Sequence, residues 1–175
     1  MKSKPEKIKL KTPSLEMKNY VMAFREEFLQ SGEKNIQGSC DLHRYDDFNE
    51  WLKNAREIDL GLNADLLPAT TYFAVRLSDG VIVGVANIRR YLREEVYHNG
   101  HIGYSVRPSE RRGGYGTEIL RLALIKAEQL GIIEPVVSCK KSNRASKRVI
   151  LNNGLLFERE HPEADGDNVL IYHKP

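Results

Sequence analysis

The sequence predicts a single α+β domain over residues 1–175, with a mixed, mainly antiparallel central sheet flanked by about four helices. Three observations carry this. A chain of 175 residues, 41% hydrophobic and 29% charged, has the size and balance of one ordinary globular domain. Two β-rich runs joined by Ser78-Asp79-Gly80 make a hairpin, which is antiparallel by construction. Two-residue and helical periodicities then alternate in the order β α α β β β α β α β β, with no internal repeat, linker or low-complexity stretch.

Residues 1–7 read as a loose tail. Ile8-Lys9-Leu10-Lys11-Thr12 alternates apolar and polar, as a half-buried strand does. Pro13-Ser14 opens a helix whose apolar face is Met17, Tyr20, Val21, Phe24 and Phe28; it runs to about Gln30 and Gly32 ends it. Residues 32–46 are loop-like. Asp47-Phe48-Asn49-Glu50 has capping-box spacing with Asp as the cap, and Phe48, Trp51, Leu52 and Ala55 form the buried stripe of a helix that stops near Gly61. After a loop over 61–69, Thr70 to Leu77 and Val81 to Ile88 are the two strands of the hairpin. Arg89 to Asn99 is a charged loop, and His101 to Val106 is a strand halted by Pro108. Residues 111–116 lead into a helix ending at Leu130-Gly131. Val136 to Cys139 is a short buried strand. Ser142 or Asn143 caps a helix to about Asn152, and strands at 155–157 and 169–172 flank the turn Asp165-Gly166-Asp167.

Composition excludes several classes. No apolar run approaches the ~18 residues of a membrane span, so no membrane partner is expected. The charged start Met1 to Lys7 has no apolar stretch behind it and is not a secretory signal. Cys40 and Cys139 are far apart and form no CxxC or Cys/His cluster, so no metal is expected; two distant thiols read as reduced residues of a cytoplasmic protein. The net charge of +3 suits an anionic ligand without demanding nucleic acid.

The most informative stretch is Pro108 to Leu122: a strand end, three glycines, then an amphipathic helix. The first N–H groups of a helix have no partner within it, the dipole adds positive charge there, and glycines admit a ligand to the backbone. Such a turn cradles phosphate. GxxxxGK[ST] is absent, and Ile119 stands where a third GxGxxG glycine belongs. What matches is Arg-x-x-Gly-x-Gly, as Arg111, Gly114 and Gly116, with Ile102 to Pro108 before it and Asn143-x-x-Ser146 and Asn153-Gly154 after it.

With these flanks the chain resembles the GNAT superfamily of acyl-CoA-dependent N-acyltransferases, in element order over nearly its whole length and most specifically from Gly84 to Phe157. His101-Ile102-Gly103-Tyr104 with the glycine turn looks like the branch that acetylates protein N-termini or small amines. The resemblance implies a single GNAT-type domain with acetyl-CoA as co-substrate. It implies that backbone amides from Arg112 through Gly113, Gly114, Tyr115 and Gly116 to Thr117 hold the pyrophosphate, with charge from Arg111 and Arg112. The strand at Ser105 and Val106 would pair with the pantetheine arm, and Asn143, with Ser146 in the same cap, would bind the arm or the adenylate end. The strands around Val106 and Val137 would run parallel and splay, with the thioester in the split.

The implied reaction is direct attack of a primary amine in a ternary complex. A lysine-like amine, pKa ~10.4, costs about 4–5 kcal/mol to deprotonate at pH 7, so a base near neutrality helps. His101 is the candidate, standing where relatives often carry the glutamate of Glu-Ile-Gly-Tyr; Glu94, Glu95 and His98 are alternatives. Many members protonate the leaving thiolate with a tyrosine seven residues after the capping Asn. Here Ile150 stands there, which admits a second reading, a degenerate acyl-CoA-binding or sensor module.

Lys140, Lys141, Arg144, Lys147 and Arg148 form a basic cluster that suits the 3′-phosphate of coenzyme A, RNA or a solvated helix start; the lack of interleaved aromatic residues weighs against a nucleic-acid partner and leaves RNA binding as a third, weaker reading. Tyr45, Phe48 and Trp51 read as core, and Cys139 as a buried thiol. The acceptor is a small-molecule or peptide amine, shaped by residues 32–46 and 89–99. Oligomeric state stays open between monomer and homodimer.

Overall fold

The computed structural model describes residues 5–175. Its elements are β1 Ile8–Lys11, α1 Lys18–Gln30, α2 Phe48–Asp59, β2 Ala69–Arg76, β3 Ile82–Arg89, β4 Ile102–Val106, α3 Tyr115–Gln129, β5 Val136–Lys140, α4 Arg144–Asn152, β6 Leu156–His161 and β7 Val169–His173. The order is the expected one. The loop at 89–99 holds a short 3-10 turn over Glu94–Asn99. The last strand pair is longer than the apolar pattern suggests, because β6 runs on through Glu158-Arg159-Glu160. Charged residues are admitted there because β6 is an exposed edge.

Two antiparallel sheets form, β1-β2-β3-β4 and β5-β7-β6. From Ala69 to Val75 and from Ile82 to Ile88 every residue is buried. These central strands are covered on both faces, which is why their sequences are nearly continuously apolar instead of alternating. On one face Tyr72, Ala86 and Ile88 meet Ile119, Leu120 and Ala123 of α3. On the other, Phe73 and Val85 meet Phe24, Phe28 and Trp51 of α1 and α2. Phe48 and Trp51 are core, as expected; Tyr45 lies before α2 in the loop and is half-buried.

The sheets adjoin where β4 and β5 begin. The His101 N–H donates to Val136 O at 2.7 Å. Gly100 has φ +67°, and a Cβ there would sit 2.9 Å from Val136 O, so only glycine lets the two backbones come this close. No ladder joins β4 to β5 farther on among the described residues. The strands therefore meet at Gly100–His101 and Val136–Val137, and not at Val106. Val106 lies instead against the start of α3, where a Cβ on Gly116 would be 3.4 Å from Val106 Cγ2. A split opens between the sheets from this junction.

Candidate active site

The first turn of α3 forms one end of the split. Arg112 and Gly114 take left-handed φ values of +67° and +87°. Gly114 is the N-cap and offers no side chain, and the first intrahelical bond is Glu118 N–H to Gly114 O. The N–H groups of Tyr115, Gly116 and Thr117 thus lack helical partners and carry the positive end of the dipole.

Around that turn the expected residues take different parts. Arg112 is exposed beside the bare amides. Arg111 is already engaged: its guanidinium donates to Val106 O at 3.2 Å and pairs with Glu33 at 2.8 Å, so its charge is largely compensated. Tyr115 offers only its backbone, because its side chain is buried and its hydroxyl accepts from Arg76 Nη1 at 3.2 Å. The glycines also serve packing. A Cβ on Gly116 would meet Val149 Cγ2 at 3.2 Å, and one on Gly114 would meet Pro5 Cδ at 3.1 Å. Gly113 is exposed, and its Cβ position lies 3.4 Å from Glu110 O. Thr117 O accepts from Asn153 Nδ2 at 3.2 Å.

Alternation along β4 decides what faces the split. Arg89 N–H donates to His101 O and Arg107 N–H to Val83 O, so the odd-numbered residues of β4 bond to β3. The backbone groups of Tyr104 and the N–H of Val106 are left on the free edge. Ser105 does not share that edge; its hydroxyl donates to Gln37 O at 2.8 Å and ties down the first loop.

The far wall is α4. Asn143 caps it, its Oδ1 accepting from Ser146 N–H at 3.0 Å, so the amide oxygen is committed to the helix and only Nδ2 is left to meet a ligand. Ser146 Oγ lies 2.9 Å from Tyr104 OH, a hydroxyl pair spanning the split. Burial pushes the Tyr104 phenol up to about 12, so it stays protonated. The buried Cys139 thiol is raised for the same reason. Ile150, at the usual acid position, is fully buried in the α3 core. Tyr104 was not singled out in the sequence. The signal was present, since Tyr104 shares strand parity with Val106 and Ser146 follows a helix cap.

His101 sits at the closed end of the split. Its Nδ1 accepts from Val136 N–H at 3.0 Å. That donor fixes the neutral tautomer with hydrogen on Nε2, and burial followed by the nearby Arg89 cation lowers the imidazole pKa. Nε2 then carries the hydrogen and the Nδ1 lone pair is occupied by Val136, so this geometry suits a clamp between β4 and β5 better than the expected base. The alternatives lie elsewhere. Glu94 and Glu95 are exposed, and His98 stacks on His161 with ring centroids 4.3 Å apart. His98, His161 and Glu163 are the one group of metal-ligating atoms close together among the described residues, but the two rings are within 6° of parallel and do not aim at one point.

The basic cluster divides. Lys140 pairs with Asp165 and Glu163, and Lys141 with Glu160, all on β6 or the β6–β7 turn. Arg144, Lys147 and Arg148 share one exposed face of α4, with no ion pair among the described residues.

A cavity of about 450 Å³ opens on the α1/α2 face beside the junction. Gln37, Cys40 and Tyr45 line it from one expected acceptor loop; Arg93, Val96 and Asn99 line it from the other. The first loop is held from beneath: Trp51 Nε1 donates to Ser39 O at 2.9 Å, and Arg25 donates to Leu42 O and Asp46. The floor carries Asn87 and Arg89 of β3, which sequence reading passed over. A lone amide in a strand otherwise apolar on both faces was the available signal.

The comparisons with known proteins agree with this architecture. Residues 39–156 match the family model described as the acetyltransferase (GNAT) domain, and the chain belongs to this family. No curated protein matches the chain in sequence. Among solved structures, a putative ribosomal-protein-serine acetyltransferase from Vibrio cholerae aligns with TM-score 0.67 at 14% identity, covering 98% of this chain and 99% of the other. The ribosomal L7/L12 alpha-N-protein acetyltransferase RimL, in complex with coenzyme A, aligns with TM-score 0.67 at 19% identity over 99% and 96%. The microcin C7 self-immunity acetyltransferase MccE, in complex with acetyl-CoA and AMP, gives 0.70 at 16% over 95% and 91%. At these identities the likeness establishes the fold.

Proposed function

We propose that this protein moves the acetyl group of acetyl-CoA to a primary amine by direct attack in a ternary complex. One observation carries the reading. The split has bare helix amides at one end and, beside its closed end, a separate cavity built by the two loops expected to shape the acceptor site. Pyrophosphate belongs on the N–H groups of Tyr115, Gly116 and Thr117, with Arg112 beside it. Pantetheine adds to the free edge of β4 at Tyr104 and Val106 as an extra strand would. Arg144, Lys147 and Arg148 offer unpaired charge to the 3′-phosphate.

The proton steps follow from the hydroxyls and the clamp. The amine loses its proton to water and attacks as the free base, which favours an α-amine over the more basic side-chain amine of a lysine. The thioester carbon–sulfur bond breaks as the new carbon–nitrogen bond forms; the attacking nitrogen gives up its second proton to become the amide, and the leaving thiolate, held by a hydrogen bond from the Tyr104–Ser146 pair, takes up a proton from solvent and leaves as coenzyme A thiol. This pair takes the place of the tyrosine missing at Ile150. RimL, a structural neighbour named as acting on an α-amino group, is consistent with such an acceptor. No helix among the described residues is long and apolar enough to cross a membrane, and we read the protein as cytoplasmic.

The second reading, an acyl-CoA-binding module without turnover, draws on the clamped His101 and the buried Ile150. Calorimetry with acetyl-CoA and release of free thiol across an amine panel separate the two. Binding with acceptor-dependent thiol release is expected; binding without release for any amine leaves the sensor, and absence of binding removes both.

A further inference from the structure

The floor of the 450 Å³ cavity holds an unbalanced charge. Arg89 is half-buried there. Its Nη1 donates to Gly100 O at 3.0 Å, and no carboxylate lies within ion-pair distance among the described residues. A guanidinium has five N–H donors in a planar fork, so most of this one is unused. Burial also lowers the Arg89 pKa, with no internal anion to offset it. The acids that line the cavity, Asp41 and Asp65, are exposed at its rim. A site for a polyamine would place its carboxylates on the floor and its cations outside; the arrangement here is the reverse.

A second observation lies two residues earlier on the same strand face. Asn87 is only 8% exposed and lines the same floor. Its Nδ2 donates to Thr71 Oγ1 at 3.0 Å, across the β2–β3 pair. That bond orients the amide and leaves Oδ1 with no partner among the described residues. The oxygen stays accessible from the cavity, where it can accept a hydrogen bond from whatever fills it. An amine N–H is a suitable donor. Successive same-face residues of a strand lie roughly 6.5–7 Å apart. One floor therefore offers an acceptor for an amine and, a short step away, a fork for a carboxylate.

We propose that the acceptor is a free amino acid, its carboxylate held by Arg89 and its amine by Asn87 Oδ1. This rests on the acetyl-transfer reading of the same cavity and narrows it. A peptide N-terminus or a polyamine has no carboxylate at that distance from the reacting nitrogen.

The test uses products, which need no turnover to bind. Protein loaded with coenzyme A is titrated calorimetrically with the twenty N-acetyl-L-amino acids and their primary amides. At least one acid is expected to bind, with its amide roughly 10–100-fold weaker, since hydrogen bonds to a charged group are at stake. Arg89→Gln should weaken the acid by a similar factor, leave the amide unchanged and leave coenzyme A affinity unchanged; Arg89→Lys should fall between. The acid–amide comparison is made on the parent protein, so it holds even where a variant folds poorly. Amides binding as tightly as acids, an Arg89→Gln variant that binds the acid like the parent, or no binding by any acid overturns the proposal. Arg89-dependent binding of acids without thiol release from acetyl-CoA by the free amino acids would instead sink the transfer reading and leave the carboxylate site standing.

Discussion

The two sides of the four-stranded sheet build their walls by different means. On the α3 side the cofactor wall is made of regular elements: a helix start without a side-chain cap, the free edge of β4 and a capped α4. On the α1/α2 side the cavity is walled by irregular chain, residues 35–41 and 93–99, held in place by a few buried side chains beneath it. The first wall uses backbone groups that any sequence with the right turn supplies. The second depends on individual residues such as Trp51, Asn87 and Arg89. A cofactor wall of the proposed kind is therefore readable from spacing, and the proposed acceptor cavity only from three-dimensional placement.

The largest effect that distinguishes the two sides is expected at Trp51. Its indole is fully buried against Phe48 and Phe73, and Nε1 donates to both Ser39 O and Cys40 O. Trp51→Ala removes that packing and frees the loop, at about 3–5 kcal/mol. Urea unfolding should show the loss. Acetyl-CoA should still bind the variant under native conditions, because Trp51 belongs to the core cluster on the opposite face of the sheet from α3, and the two sides touch at its edge, through Ser105 on Gln37 and Arg111 on Glu33 and the Phe28 ring. Loss of stability and of cofactor affinity in equal measure would mean that the two sides are not separable.

A smaller effect is expected at the glycine turn, and it separates packing from ligand space. Gly116→Val puts branched atoms where a Cβ alone already meets Val149 and Val106. The start of α3 must move, and acetyl-CoA affinity should fall roughly 10–100-fold, the scale of a few lost charge-assisted bonds. Gly114→Ala meets Pro5 and a left-handed φ, so it should cost about 1–2 kcal/mol of stability. If its affinity loss is as large as that of Gly116→Val, Gly114 too makes room for phosphate.

What the sequence disclosed follows the same division. The order of all eleven strands and helices, the hairpin turn and the caps at Asp47 and Asn143 were legible, because each is set by neighbours within a few residues. The two acceptor loops were legible as loops. The parts played by single side chains were not. Nothing near Asn143 or Arg111 shows that the oxygen of one caps a helix and the guanidinium of the other pairs with Glu33. Ser146 and Tyr104 are far apart in the chain and meet only across the split.

Smaller again is the effect expected of that hydroxyl pair. Tyr104→Phe or Ser146→Ala removes one donor to the leaving thiolate. With one net hydrogen bond worth about 1–1.5 kcal/mol, kcat should drop roughly tenfold while KM for acetyl-CoA barely moves. A change confined to KM would make the pair part of cofactor binding, another property of the backbone wall.

The smallest effect, and the one that touches both sides, is at His101, which joins the two sheets. Its imidazole pKa is lowered in the folded protein by burial and then by Arg89. The unfolded chain, with an ordinary pKa of about 6.5, therefore binds more protons in the window just below that value. Stability rises with pH wherever the unfolded state holds more protons, so the contribution is complete above about pH 6.5 and fades as pH falls toward the folded pKa. Parent and His101→Ala should be compared by urea unfolding from pH 5 to 8. The variant should be less stable at pH 7, through the lost Val136 bond, and the difference should shrink toward pH 5. In kcat/KM the two should keep the same shape against pH, since a clamp whose Nδ1 is occupied takes no proton from the amine. A base would behave the other way: the variant would lose a limb with pKa between about 6 and 8, by ~10²–10⁴-fold, while stability barely changed. The clamp reading requires the pH dependence in stability; the base reading requires it in the rate.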